Sequence, residues 1–222
     1  MIKEVERDLF EMGINVQSAT VQDMVVKDDK DYSMLELNGY GYKLTTDEKL
    51  IEMVLHGGGD INWLKAEFQE RVSDELINPG GAYKFKRDLW EKYLHNGEFE
   101  YTYNERIREQ LPYILKELHD KETTRQAVLT IYDQHKDMRN WGGKARIPCS
   151  MHFQFIVREG KLNLIYVMRS CDFLKHFMYD VGLALMLQRY VANNLQIETG
   201  NLTHFIGSLH AFKIDLDKRG IF

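Results

Sequence analysis

Hydrophobic and polar positions alternate along some stretches of the chain and recur at helical spacing along others. MLELNGYGYKL (34–44) reads as a strand, a turn at Asn38-Gly39 and a second short strand. TTDEKLIEMVLHGGGDINWLKAEF (45–68) predicts a helix. It opens at Thr46, has Asp47 and Glu48 near its N-terminus and is stopped by Gly57-Gly58-Gly59. NPGGAYKF (78–85) predicts a loop. Over 104–119, Ile107, Leu111, Ile114, Leu115 and Leu118 share one helical face, against the presence of Pro112. AVLTIY (127–132) predicts a strand. HFQFIVR (152–158) and LNLIYVMR (162–169) predict two strands joined by a tight turn at Glu159-Gly160. DVGLALMLQRYVANNL (180–195) predicts a long helix with an inward stripe at 181, 184, 185, 187, 188 and 191, broken only by Gln188. Helices interleave with strands, and neighbouring hairpins call for antiparallel pairing, so the pattern predicts a mixed α/β or α+β layer fold. No internal repeat or low-complexity linker interrupts it, and one domain is expected over residues 1–222.

Composition narrows the class. The chain has 222 residues, 44% of them hydrophobic and 12% aromatic, enough for one substantial core. A net charge of -5 excludes a nucleic-acid binder working through a broad basic face. A small anionic ligand stays open, because a phosphate needs only a few well-placed donors. Two cysteines do not make a disulfide scaffold, and a reducing compartment is expected. The opening MIKEVERDLFEMG is charged and lacks a signal-peptide core, and no apolar run approaches the ~20 residues of a membrane helix. These features predict a soluble, cytoplasmic protein.

One of the two cysteines stands in RIPCSMHFQF (146–155), between a proline and an apolar strand. Taken alone, Cys149 reads as a packed thiol, since free cysteine is among the most buried residue types. A Cys149/His152 metal pair has no second Cys/His pair at ligand spacing, and CSMH lacks the second cysteine of a haem attachment site, so no metal is expected.

The neighbours change this reading. Downstream of Cys149 come MRSCDF (168–173), YDVGLAL (179–185) and GSLHAF (207–212). In order and spacing this set resembles the thymidylate synthase family, which includes the phage deoxycytidylate hydroxymethylases. That family has a nucleophilic cysteine at a turn, an Arg-Ser-x-Asp about twenty residues later, and an Asn or Asp eleven residues after that arginine. The last position is Asp180 here, counted from Arg169. The resemblance runs from about residue 50 to 212 and is more detailed in the second half. Glu52, seven residues before Gly59-Asp60-x-Asn62, resembles the family's active-site glutamate. Tyr103, Trp90 and the Thr124-Arg125 pair fall near further family positions.

The resemblance implies an α+β, three-layer fold with a mixed β-sheet, assembled as a homodimer. It implies a one-carbon transfer from 5,10-methylenetetrahydrofolate, as co-substrate, to carbon 5 of a pyrimidine nucleoside monophosphate. Cys149 would be the nucleophile that adds to carbon 6. Arg169 and Ser170 would bind phosphate, with Arg125 reaching from the neighbouring subunit, and the two arginines would favour the thiolate. Asp172 and Trp90 would hold the folate, His210 the sugar hydroxyl, Glu52 the water and protons, and Tyr103 would help remove the carbon 5 proton. Asp180 is the informative difference. Thymidylate synthases carry Asn there, and enzymes hydroxymethylating cytidylate carry Asp. A protonated carboxyl donates its O–H to cytosine nitrogen 3 and accepts from the amino group, and burial favours that protonated form. The expected activity is therefore hydroxymethylation of dCMP or CMP, ended by water. The alternatives are thymidylate synthesis from dUMP and a nucleotide-binding homologue without catalysis. Asp180 also suits a helix N-cap, Asp172 a strand-end cap, and Arg125 or Arg169 a surface ion pair.

Several positions depart from the family pattern. Ser150 follows the cysteine where synthases usually carry His, Gln126 replaces a second arginine, and Phe212 replaces a tyrosine. The N-terminal phosphate arginine has no match; Lys27 and Lys30 are the nearest cations.

Overall fold

The computed structural model describes residues 2–21, 24–26, 29–46, 53, 59–140 and 146–218. Glu52, Lys27 and most of the predicted helix before Gly59 lie outside the described residues.

The chain opens with helix α1 (Ile2–Met12), which buries Val5 and Leu9. Strands β1 (Ile14–Gln17), β2 (Thr20–Val21), β3 (Met24–Val25) and β4 (Ser33–Thr45) follow. Asn38-Gly39 makes no turn. Gly39 adopts a left-handed φ of 68° inside β4, and β4 stays in register with the last strand on both sides of it, with Asn38 facing Ser208 and Tyr40 facing Ile206. Glycine absorbs the irregular dihedral, and pairing with a long neighbour keeps the strand whole.

Helix α2 (Ile61–Arg71) starts at Asp60, whose side chain accepts from the amides of Asn62 and Trp63. Asp60 is thus an N-cap. After the short helix α3 (Arg87–Trp90), the stretch predicted as one helix over 104–119 is two, α4 (Tyr103–Ile107) and α5 (Leu111–Asp120). Thr102 and Glu105 form a capping box on α4. Pro112 stands in the first turn of α5, where its missing N–H costs nothing. The proline therefore starts a helix here. Residues 127–132 contain β5 (Val128–Thr130), followed by the short helix α6 (Gln134–Asp137).

Strands β6 (Ser150–Arg158) and β7 (Lys161–Asp172) form the predicted hairpin. Glu159 and Gly160 have φ of 54° and 68°, the backbone of a two-residue turn that matches strand twist. Helix α7 (Phe177–Leu195) then carries the chain across the sheet to β8 (Glu198–Phe212), which pairs parallel to β7. Helix α8 (Lys213–Lys218) follows. The six-stranded sheet runs β1-β4-β8-β7-β6-β5, antiparallel except for β7 and β8. A mixed sheet covered by helices makes the fold α+β.

The core lies between the sheet and α7, which buries Val181, Ala184, Leu185, Leu187 and Val191 among others. Gln188 is fully buried within the predicted stripe and is satisfied there. Its amide donates to Leu162 O at 2.7 Å and accepts from Thr46 Oγ1 at 2.6 Å. Across the sheet, the Tyr166 ring stacks between Phe153 and His204, with centroids 4.3 and 4.6 Å away. Among the described residues no helix is long and apolar enough to cross a membrane.

Candidate active site

The C-terminal ends of the parallel pair β7 and β8, the start of β6, and helices α2, α4 and α7 enclose a cavity of about 680 Å³. That volume accommodates a nucleotide with part of a second flat molecule. Cys149, Arg169, Ser170, Asp172, Asp180, Tyr103, Trp90 and His210 all line it. These residues come from positions 90 to 210, and the sheet register brings them together.

Cys149 immediately precedes β6, and its carbonyl accepts from the Arg169 amide at 2.8 Å. The Arg169 side chain braces the same turn. Its Nε donates to Pro148 O at 2.9 Å and its Nη2 to Ile147 O at 3.0 Å, leaving Nη2 3.8 Å from the Cys149 sulfur. Burial pushes the Cys149 thiol up, while Arg169 and then Arg146 pull it down and Asp180 and Asp172 oppose them. Burial wins, so the resting form is the thiol, with two cations in place to favour the thiolate as it forms.

Arg146 is the functional-looking residue that sequence reasoning missed. Its guanidinium lies 4.7 Å from the Trp90 ring centroid and 5.1, 5.7 and 5.2 Å from those of Tyr93, Phe99 and Tyr101. These four rings share no sequence period, so the only available signal was a basic residue three positions before the cysteine. Arg125, expected to add to the field at the thiol, is exposed and is not among the cavity-lining residues; its carbonyl accepts from Gln154 Nε2. Within one chain, Arg146 is the second cation at the thiol beside Arg169.

Asp180 lies inside the first turn of α7, whose N-cap is His176, so Asp180 is not the cap. Its amide already donates to His176 O. Its carboxyl faces the cavity and accepts from the Cys171 thiol, with Sγ 3.6 Å from Oδ2. Burial pushes this carboxyl up to about 7, against the lowering effects of Arg71 and Cys171. Arg71 itself is buried, pairs with Glu67 at 2.9 Å and lies 3.7 Å over the Tyr103 ring.

Asp172 closes β7, and its Oδ1 accepts from the amides of Leu174 and Lys175 at 3.0 and 3.1 Å. This is the strand-end cap, at the cavity wall. His210 lines the cavity from β8, its pKa pushed down by burial, and packs edge-on against Phe212. Tyr103 opens α4 and lies 3.1 Å from Ser150 Oγ. Lys30 is exposed and is not among the lining residues. Among the described residues no cluster of three His, Cys, Asp or Glu side chains is placed to hold a metal ion. The arrangement offers a nucleophile, two cations, a buried acid and a phenol around one space, which suits addition to a flat, anionic substrate.

The sequence profile described as thymidylate synthase matches residues 15–219. A Methanosarcina barkeri protein assigned provisionally as a thymidylate synthase is 25% identical over 95% of this chain and 94% of that protein. A similarly assigned Methanocaldococcus jannaschii protein is 29% identical over 55% of each chain, so that alignment spans about half of the relative's length. Among solved structures, thermostable thymidylate synthase A from Bacillus subtilis superposes with a TM-score of 0.70 at 18% identity, over 99% of this chain and 81% of that one. This superposition speaks for the fold.

Proposed function

The chain belongs to the thymidylate synthase family, and from that premise we propose that it hydroxymethylates carbon 5 of a cytosine nucleoside monophosphate. The observation that carries this reading is the carboxyl of Asp180 in the same cavity as the Cys149 thiol. A carboxyl pushed up to about 7 is about half protonated at neutral pH and largely protonated below it. In that form it donates to ring nitrogen 3 of cytosine and accepts from the amino group.

Cys149 is the nucleophile. Its thiolate adds to carbon 6, and the ring electrons move toward carbon 5, which becomes able to attack an electrophilic carbon. Asp180 gives its proton toward nitrogen 3 as the adduct forms, so the ring does not carry the charge alone. Arg169 holds the turn bearing Cys149 and, with Ser170, binds the phosphate in this reading. His210 serves the sugar and Glu52 the proton traffic. The one-carbon unit comes from 5,10-methylenetetrahydrofolate, the co-substrate of the family. The aromatic wall at Trp90 and the Asp172 carboxylate fit a flat ring rich in hydrogen-bonding groups. Water completes the product.

The protein acts as a homodimer in this reading. The outer face of the sheet presents Ile156, Ile165 and Val167 together with Phe205, which is 49% exposed. A second copy covers that face, and Arg125 reaches the partner's phosphate site.

A second reading, thymidylate synthesis from dUMP, is favoured by the names of the relatives. The test is tritium release from carbon 5 of labelled dCMP and dUMP, side by side with methylenetetrahydrofolate, plus the product mass. The expected outcome is release from dCMP and a hydroxymethyl product. Release from dUMP alone, or a methyl product, would move the protein to the synthase branch.

A further inference from the structure

A chain of hydroxyl groups runs behind the cavity wall. The Tyr166 hydroxyl lies 2.6 Å from Ser150 Oγ, and Ser150 Oγ lies 3.1 Å from the Tyr103 hydroxyl. Tyr166 is 1% exposed and Ser150 fully buried, and Tyr103 lines the cavity. Each group has a single proton, so the chain has a direction.

The direction follows from the buried end. Among the described residues, the Tyr166 hydroxyl meets one hydrogen-bonding partner, Ser150. If Tyr166 only accepted, its own O–H would be buried without an acceptor, which is costly. Tyr166 therefore donates to Ser150. Ser150 is fully buried, so its own O–H needs an acceptor, and among the described residues the Tyr103 oxygen is the partner that remains. Tyr103 then accepts on that side, and its O–H turns away from Ser150 into the cavity. The Tyr166 ring is fixed by its two stacking partners, and the Tyr103 ring lies beneath the Arg71 guanidinium, so neither oxygen is free to wander.

We propose that Ser150 and Tyr166 are positioning residues that orient the Tyr103 hydroxyl as a hydrogen-bond donor toward the reacting centre. The proposal rests on the one-carbon transfer reading above. In that reaction carbon 5 loses its proton after taking up the one-carbon unit. The carbon 5–hydrogen bond breaks and the proton passes to a water molecule. The electron pair becomes a double bond to the one-carbon unit, and the folate nitrogen leaves with its bonding pair. A water that accepts from Tyr103 keeps a lone pair for that proton and is held in one orientation. Burial keeps the Tyr103 phenol protonated, in accord with a donor role. Ser150 is also one of the positions that depart from the family pattern, and here it has a hydroxyl-specific task.

The test is steady-state tritium release from labelled dCMP and dUMP with Ser150→Ala, Tyr166→Phe and Tyr103→Phe, alone and combined. Tyr166→Phe keeps the stacked ring, and a thermal melt checks that each variant is folded. Ser150→Ala is expected to lower kcat about tenfold with KM changed less than about twofold. Tyr166→Phe should cost less than Ser150→Ala, and nothing further in its background, because Tyr166 acts only through Ser150. In the Tyr103→Phe background neither change should lower kcat again. Wild-type kcat in folded Ser150→Ala, or losses that multiply with Tyr103→Phe, would overturn the proposal while leaving the function intact. Should Tyr166→Phe fail to fold, the Ser150 and Tyr103 pair decides alone. Absence of release by the wild-type protein from either substrate would overturn the functional reading, and the proposal with it.

Discussion

At Asp180 one proton separates the two readings of the base, and the same proton leaves a mark on stability. Burial raises this carboxyl from its ordinary 3.8 to about 7. Between about pH 4 and 7 the unfolded chain has released the proton while the folded protein still holds it. Stability contributed at this site therefore falls as pH rises through that window and stays low above it. Asp180→Asn removes the titration. Chemical denaturation at pH 5 and pH 8 should show the variant's stability relative to wild type rising by roughly 1–3 kcal/mol from the lower pH to the higher. The same substitution should shift preference from dCMP toward dUMP, and an unchanged ratio of the two rates would remove the base-recognition argument. In the wild type, the cytosine reaction should lose rate above pH 7 as Asp180 ionises, although the Cys149 thiolate is favoured there.

The elements that carry the site are sensitive at their closest approaches. Gly207 on β8 lies against Arg169 on β7, where an added Cβ would stand 2.7 Å from the Arg169 carbonyl oxygen. Backbone cannot yield there without moving β7, and Arg169 on that strand braces Cys149. Gly207→Ala should cost roughly 1–3 kcal/mol and also lower activity. Gly39 gives the contrast. Its Cβ would meet nothing within 4 Å, yet its φ is 68°. Gly39→Ala should cost about 1–2 kcal/mol through backbone strain alone and leave tritium release close to wild type. Equal loss of activity in both variants, measured beside their melting temperatures, would show that activity follows stability and not the β7–β8 contact.

For the whole molecule, the informative residue is one that lies outside the lining of its own cavity. Arg125 is exposed just before β5, and the outer face of the sheet carries Ile156, Ile165, Val167 and the exposed Phe205, the face proposed above for a second copy. In a symmetric dimer each site would then take Cys149 from one chain and Arg125 from the other. Arg125→Ala and Cys149→Ser homodimers should both be inactive or nearly so. Unfolded together and refolded, they should recover about a quarter of wild-type activity, because half of the dimers carry one intact site. No recovery in a mixture shown to exchange subunits would sink the shared site.

Short-range pattern was enough to determine much of this protein. The alternation in HFQFIVR and LNLIYVMR, with Glu159-Gly160 between them, specified the β6–β7 hairpin, because a two-residue turn links strands adjacent in sequence. The apolar stripe after residue 180 specified α7, and Cys149, Arg169, Asp180 and His210, singled out by family resemblance, all line one cavity. Tertiary structure decided the rest. Pro112 starts a helix because the chain turns at 108–110. Gly39 stays within a strand because β8 pairs with both sides of it. Asp180 is an inward acid and not a cap because α7 begins at Phe177. Arg146 meets the rings of Trp90, Tyr93, Phe99 and Tyr101, and Ser150 links Tyr103 to Tyr166, only because tertiary packing brings together groups far apart in the chain. Periodicity reports which face of an element is buried; the group met across a buried contact depends on how distant elements pack, and no local pattern encodes that.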